Sequence, residues 1–254
     1  MSERIITLVS VVVFFALNAA AQKNLDKPYD TWSRDDVIKI LSDSPWAKTH
    51  QVSQPSSTLS DAPTTGATKS NTPAQQRSRD AVIPPVVVRL HSARPIREAV
   101  VRLQQIDGGY DKMSDADKKT FDDAHQKFLD CAVCTDYYVV TVFKSPSGRG
   151  AGEQALFDGM TIADLKGKVK LVNDNGQERE LAEFNPPKNA RDMAVFYFKR
   201  TDDGGVSLVA EDSKEVRLVF TKEFLSSKKL FAALLPANTS FKVSKMIVGG
   251  KLLF

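Results

Sequence analysis

The chain has 254 residues, of which 42% are hydrophobic, and it carries a formal net charge of +4 at pH 7. Its basic residues are interleaved with acidic ones, whereas a nucleic-acid-binding protein usually concentrates them on one element, so we expect no nucleic-acid partner. This length allows one large domain or two small ones, and the apolar content is sufficient for a hydrophobic core.

The first residues predict a cleaved secretory signal peptide over 1–21. Arg4 precedes an apolar run from Ile5 to Leu17, and the small residues Ala19 and Ala21 follow it. A charged start, a short apolar stretch and an A-x-A end are typical of such a signal. Because the run is shorter than the roughly 20 residues that span a membrane, we expect an exported chain, periplasmic or secreted, without a membrane span in its mature part.

Residues 22–48 predict a short N-terminal helical segment. Ser33 and Asp36 have the spacing of a capping box, and Pro45 should end a helix that runs to about Ser42. We expect this helix to bury Val37, Ile38 and Leu41. The candidate docking residues of the segment are Trp32, Val37, Leu41 and Trp46. They would dock either onto this protein's own domain or onto an envelope or extracellular protein partner.

Residues 49–85 predict a disordered linker. Ser, Thr, Pro, Gln and Asp dominate, and no aromatic residue occurs between Trp46 and Tyr110. Such a stretch buries too little apolar area to offset the entropy lost on ordering. Two interpretations stay open: a spacer that lets the N-terminal segment reach a partner, or a surface insertion that the fold tolerates.

The region 86–254 predicts a folded domain that begins with a strand over 86–90. A helix follows, with apolar side chains at helical spacing on Ile96, Ala99, Val100, Leu103 and Ile106. Ser114 predicts the N-cap of a second helix, because Asp115 and Asp117 occupy its first turn, where the helix dipole favours negative charge.

After residue 136 the apolar pattern changes to period two, which predicts strands. We expect them over 137–143, 168–172, 178–184, 193–199, 206–210, 215–220 and 241–248, with helical pieces at 154–157 and 223–234. The segments 173–176 and 202–205 predict tight turns, because Asn and Gly tolerate positive φ. Short antiparallel strands after helices predict the α+β class, with a mainly antiparallel sheet and two or three packed helices.

Cys131 and Cys134 are the only cysteines. In an exported chain a disulfide between them is the default expectation. The alternatives are a thioredoxin-like redox couple, and free or metal-bound thiols. A redox couple usually lies at a helix N-terminus, which stabilises the thiolate, but here the predicted helix precedes Cys131. Asp130 and Asp136 add negative charge and Lys127 is the one cation within four residues, so the local charge opposes an acidic thiol.

Other chemistries have weak support. The histidines are His50, His91 and His125. They lie far apart, and one C-x-x-C supplies two of about four zinc ligands, so we expect no metal site. The Gly-rich stretch 148–152 lacks the third Gly of a dinucleotide motif and the G-K-[ST] of a P-loop. Lys144 and Arg149 stay as a candidate anion site, against the alternative of a flexible hairpin loop. We predict no catalytic residue and no cofactor.

Three segments carry a resemblance: the W-S…S-P-W-A pattern over 32–47, the C-x-x-C-x-D-Y-Y pattern from Cys131, and A-V-F-Y-F over 194–198. Together they resemble a group of uncharacterised exported proteins of soil bacteria. The resemblance implies a bacterial envelope or extracellular setting, and it implies no activity, cofactor or catalytic residue.

The function that the sequence favours is a non-catalytic binding or assembly module of the cell envelope. The alternative is an enzyme, either a thiol–disulfide oxidoreductase that uses Cys131 and Cys134 or a hydrolase without a recognisable motif. The sequence leaves the oligomeric state open.

Overall fold

The structure is a computed structural model that describes residues 25–51, 84–145, 155–189 and 191–254. The predicted signal peptide over 1–21, most of the predicted linker over 49–85 and the candidate anion-site residue Arg149 lie outside these ranges. Within them, no helix has both the length and the apolar character needed to cross a membrane.

Eight strands form one sheet. Their bounds are Ala47–His50 (β1), Val86–Leu90 (β2), Tyr137–Lys144 (β3), Val169–Asn173 (β4), Glu178–Asn185 (β5), Ala194–Lys199 (β6), Glu215–Phe220 (β7) and Asn238–Lys242 (β8). The order across the sheet is β1-β2-β3-β6-β5-β4-β7-β8, and all neighbours are antiparallel. A separate two-stranded ribbon joins Ile247–Val248 (β9) to Lys251–Leu252 (β10). The α+β class with a mainly antiparallel sheet is therefore confirmed.

The sheet nearly closes into a barrel, because its two edge strands approach each other. His50 Nε2 on β1 lies 2.9 Å from Thr239 Oγ1 on β8. Side chains alternate between the core and the other face along the middle strands, as period two requires. On β7, for example, Val216, Leu218 and Phe220 are buried.

The described ranges contain six α-helices, so the expected number of two or three is not confirmed. Their bounds are Arg34–Ser42 (α1), Arg94–Gly108 (α2), Asp115–Asp130 (α3), Ile162–Leu165 (α4), Lys222–Ser227 (α5) and Lys229–Leu234 (α6). The predicted capping box is present at α1, where the Ser33 side chain accepts from the backbone of Asp36 and Asp36 accepts from the backbone of Ser33. Ser114 caps α3 as predicted.

The N-terminal segment packs on the rest of the fold, which agrees with the interpretation that it docks onto this protein's own domain. β1 extends the sheet by pairing with β2, and His50 faces Val86 at the end of that pairing. The two ends of the region between 51 and 85 are therefore held side by side. A spacer that lets the N-terminal segment reach a partner would need one of its ends to be free of the domain. The geometry therefore agrees with a surface insertion and not with such a spacer.

The four candidate docking residues are buried in this protein's own core. The exposed fractions are 2% for Trp32, 0% for Val37, 4% for Leu41 and 0% for Trp46. They do not form a surface for a partner, because their apolar area is already covered by this chain. Ile38 was expected inside and is 49% exposed, while Ile40 is buried in its place.

A group of phenylalanines fills the core between the sheet and the C-terminal helices. Its members are Phe157, Phe196, Phe220, Phe224 and Phe231. The ring of Phe231 lies 5.0 Å from that of Phe224 and 5.3 Å from that of Phe157, measured between centroids. Stacked and edge-on pairs at such distances stabilise a core beyond the area that they bury.

Two predicted elements are absent. Residues 206–210 do not form a strand: Ser207 makes one isolated bridge to Thr201, Leu208 N donates to Arg200 O, and Val209 N donates to Tyr138 Oη. In the described part of 154–157 the chain makes a turn and not a helix. The last predicted strand, over 241–248, divides into the end of β8 and the short β9.

Candidate functional site

The two cysteines form a disulfide at the end of α3, as expected. Cys131 is the C-cap of the helix, with a left-handed φ of 46°, and its N–H donates to Lys127 O. A 3-10 turn over Ala132–Thr135 follows, and it brings the Cα atoms of Cys131 and Cys134 to 5.3 Å. The disulfide therefore closes a short turn between α3 and β3.

The sulfurs of the pair belong to residues of different burial. Cys134 is 7% exposed and belongs to the core side of the turn, while Cys131 is partly exposed. Ala132 and Val133 lie between them on the solvent side, and Val133 is 41% exposed. An external molecule would thus meet Cys131 and Val133 before it met Cys134.

Arg97 of α2 packs behind the turn and is 6% exposed. Its Nε donates to Leu129 O at 2.9 Å, and its Nη1 donates to the backbone carbonyls of His91 and Ser92. The same Nη1 lies 3.7 Å from Cys134 Sγ. Burial lowers the pKa of Arg97, but a guanidinium in a protein stays protonated near neutral pH. A buried cation therefore lies against the sulfur.

The sequence-based expectation considered only charges that are close to the cysteines along the chain, and in space the cation of Arg97 lies beside Cys134 Sγ. Arg97 is 37 positions away in sequence, so no local window around the cysteines includes it. The helical pattern did not indicate that Arg97 is buried either, because the predicted apolar face of the helix contained Ile96 and Val100 and not Arg97. The one sequence signal was Val101, which is four positions after Arg97 and is buried on the same face.

A second arginine fixes the other side of the turn. Arg200, directly after β6, donates from Nε to Cys134 O at 2.7 Å and from Nη2 to Phe254 O at 2.8 Å. Its guanidinium carbon lies 4.6 Å from the ring centroid of Tyr138, within the range of a cation–π interaction. Burial lowers the pKa of Arg200. The buried Arg97 and the half-buried Arg200 thus hold the turn on the sheet.

A recess of about 290 Å³ opens beside the turn. Its walls are Thr135, Asp136, Tyr137, Lys199, Arg200 and Thr201. A larger and more open recess, of about 670 Å³, lies on another part of the surface and is lined by Asp174, Asn175, Glu211, Asp212, Ser213, Lys214, Glu215, Lys242 and Ser244. Of the sequence-predicted site residues that the structure describes, none lines either recess.

The remaining predicted residues do not come together. Lys144 is the last residue of β3, and its partner in the candidate anion site, Arg149, is outside the described ranges. His50 faces Thr239 across the sheet edges, His91 packs edge-on against Phe128, and His125 stacks on Phe121. Within the part of the chain that the structure describes, no three His, Cys, Asp or Glu residues are placed to hold a metal.

No family model, curated protein or solved structure matches the chain. The function is accordingly inferred from the geometry of the disulfide turn and its surroundings.

Proposed function

We propose that this protein is an exported binding module of the bacterial cell envelope, periplasmic or secreted, and that it holds a protein partner at the disulfide turn. The observation that carries the proposal is an exposed apolar turn whose conformation is restrained by a disulfide and by arginine side chains on its core side. One exposed valine is ordinary on a protein surface. Here the exposed Val133 belongs to a turn that is closed by a disulfide and bonded to the buried Arg97 and the half-buried Arg200.

Such fixation favours binding because the turn has little conformational freedom left to lose. Ordering a mobile loop on association costs about 0.5–1.5 kcal/mol for each immobilised side chain. The disulfide and the hydrogen bond from Arg200 to Cys134 O remove most of that cost in advance. The turn is therefore preorganised for contact.

The recess beside the turn indicates the chemistry of the partner. It contains the cationic side chains of Lys199 and Arg200 and the single carboxylate of Asp136. Its volume of about 290 Å³ suits one side chain better than a whole small molecule. The partner segment should therefore place an apolar side chain on Val133 and a carboxylate next to Lys199.

Photo-crosslinking from position 133 tests this function. A photoreactive residue in place of Val133 should capture a defined partner in the envelope fraction of producing cells, and Lys199→Glu should abolish the product. The matched control is the same residue at Ile162, which is 38% exposed on α4. Identical products from positions 133 and 162, or products that persist with Lys199→Glu, would contradict the proposal.

Export has its own test. If the segment 1–21 is removed as a signal peptide, the intact mass of the protein from the envelope or medium corresponds to a chain that begins at Gln22. A mass that retains residues 1–21, found in the cytoplasmic fraction, would contradict export and with it the envelope setting.

A further inference from the structure

Arg97 lacks a counter-charge at close range. In the described ranges no carboxylate oxygen lies within salt-bridge distance of its guanidinium, and Glu98 and Asp130 act on it only from further away. Its hydrogen-bond partners are the carbonyl oxygens of His91, Ser92 and Leu129, which provide dipoles and no net charge. A buried cation without a nearby anion destabilises the folded state. A negative charge next to Arg97 would therefore be stabilising, and the disulfide does not provide one.

The sulfur of Cys134 can supply it. In the disulfide this sulfur is neutral, and when the bond opens it becomes a thiolate 3.7 Å from Arg97 Nη1, as judged from its present position. A neighbouring arginine lowers the pKa of a thiol, and charge-assisted hydrogen bonds are stronger than neutral ones. Cys131 has the opposite environment, because it caps the negative end of α3. The two sulfurs are therefore suited to different roles.

We propose that Cys131–Cys134 is an exchangeable redox couple that oxidises external thiols, with Cys131 as the sulfur that is attacked and Cys134 as the sulfur that leaves beside Arg97. This activity goes beyond the proposed binding function, because the turn would then both bind a partner and exchange disulfides with thiols. It reverses the sequence-based expectation of a purely structural bridge.

The exchange balances as two displacements. An external thiolate attacks Cys131 Sγ, a new S–S bond forms between them, the Cys131–Cys134 bond breaks, and its electron pair stays on Cys134 as a thiolate. A second external thiolate then attacks the external sulfur of the mixed disulfide. It forms the external disulfide and releases Cys131, which takes up a proton. Two electrons pass from two thiols to the pair, and a stabilised leaving thiolate accelerates the first step.

The redox equilibrium with glutathione tests the role of Arg97. The mature protein is equilibrated in mixtures of reduced and oxidised glutathione, and the reduced fraction is read from alkylation and intact mass. Arg97→Met should shift the equilibrium at least tenfold towards the disulfide, which is about 30 mV for two electrons, and should slow reduction. Arg94→Met is the matched control, since its exposed side chain loses the same charge on the same helix; it should change the equilibrium less than twofold. Equal constants for the two variants would overturn the proposal.

A second measurement uses the wild-type disulfide, so it does not require Arg97→Met to fold. When reduced glutathione reacts with the wild-type disulfide and the mixture is quenched with acid, the trapped mixed disulfide should lie on Cys131 and not on Cys134. Arg97→Lys, which keeps the charge, should restore most of the equilibrium constant lost in Arg97→Met. Preferential modification of Cys134, or no rescue by Arg97→Lys, would overturn the proposal. Because glutathione is the probe, the outcome does not depend on whether the protein partner exists.

Discussion

Replacement of Trp46 by alanine tests whether the N-terminal segment is part of the cooperative core. Trp46 is 0% exposed, its indole Nε1 donates to Leu253 O, and its carbonyl accepts from Leu90 N at 2.8 Å. Trp46, directly before β1, is thus bonded both to the end of β2 and to the segment after β10. The substitution therefore removes more than a local contact.

The expected loss follows from burial. A fully buried Trp replaced by Ala costs about 3–5 kcal/mol through lost transfer free energy and the cavity that remains. Domains have free energies of unfolding of about 5–15 kcal/mol, so Trp46→Ala should remove roughly a fifth or more of the stability. Trp46→Phe keeps most of the ring and loses the indole donor, so its cost should be smaller, on the order of 1–2 kcal/mol.

Urea unfolding of the mature, oxidised protein measures these losses, with Trp32 as the remaining fluorophore. Ile38→Ala is the control on α1, because its side chain is 49% exposed and surface substitutions usually stay within about 0.5 kcal/mol. The reasoning fails if Trp46→Ala costs less than about 1 kcal/mol with an unchanged m-value, or if it matches Ile38→Ala. Either result would mean that the segment docks weakly on an otherwise independent domain.

Three further predictions concern pH, capping and the region between β1 and β2. Burial, with the charges of Arg97 and Arg89, lowers the pKa of His91 to about 4. As the pH falls, His91 therefore takes up a proton in the unfolded chain before it does so in the folded one. The free energy of unfolding, measured from urea midpoints, should fall between pH 6.5 and 4 by up to about 3 kcal/mol relative to His91→Gln. Ser33→Ala removes the side-chain cap of α1 and should lower the free energy of unfolding by about 1 kcal/mol, whereas Ser33→Asp should retain it. Deletion of about half of the region between residues 51 and 85 should stabilise the protein by about 0.6 kcal/mol through a smaller loop-closure entropy; a marked loss of stability in thermal unfolding would show that the deleted residues pack on the domain.

The elements that sequence alone predicted are those whose signals are local. The capping box of α1 needs only Ser33 and Asp36, three positions apart, and the structure contains it. β7 was predicted at its observed bounds of 215–220, because its apolar residues alternate and its neighbours supply one buried face. In both cases the decisive residues lie within a few positions of each other.

The elements that it missed depend on distant partners. β1 contains a single buried residue, Ala47, and becomes a strand because it pairs with β2 across a gap of 35 residues. Burial of Trp46 depends on Leu253, and the charge environment of Cys134 depends on Arg97. No periodicity or motif encodes these pairings. The sequence therefore left open whether the tryptophans dock onto this domain or onto a partner, and the charges near the cysteines along the chain did not include Arg97.

The pairing of β1 with β2 determines what happens when the backbone between these two strands is cut. Since His50 and Val86 face each other, and the tryptophans before them are anchored in the core, a proteolytic cut between residues 52 and 83 would not free the N-terminal fragment. The two pieces would stay together as a non-covalent heterodimer held by the sheet and the indole side chains. A nicked molecule of this kind would migrate as two bands under denaturing conditions and as one particle under native ones.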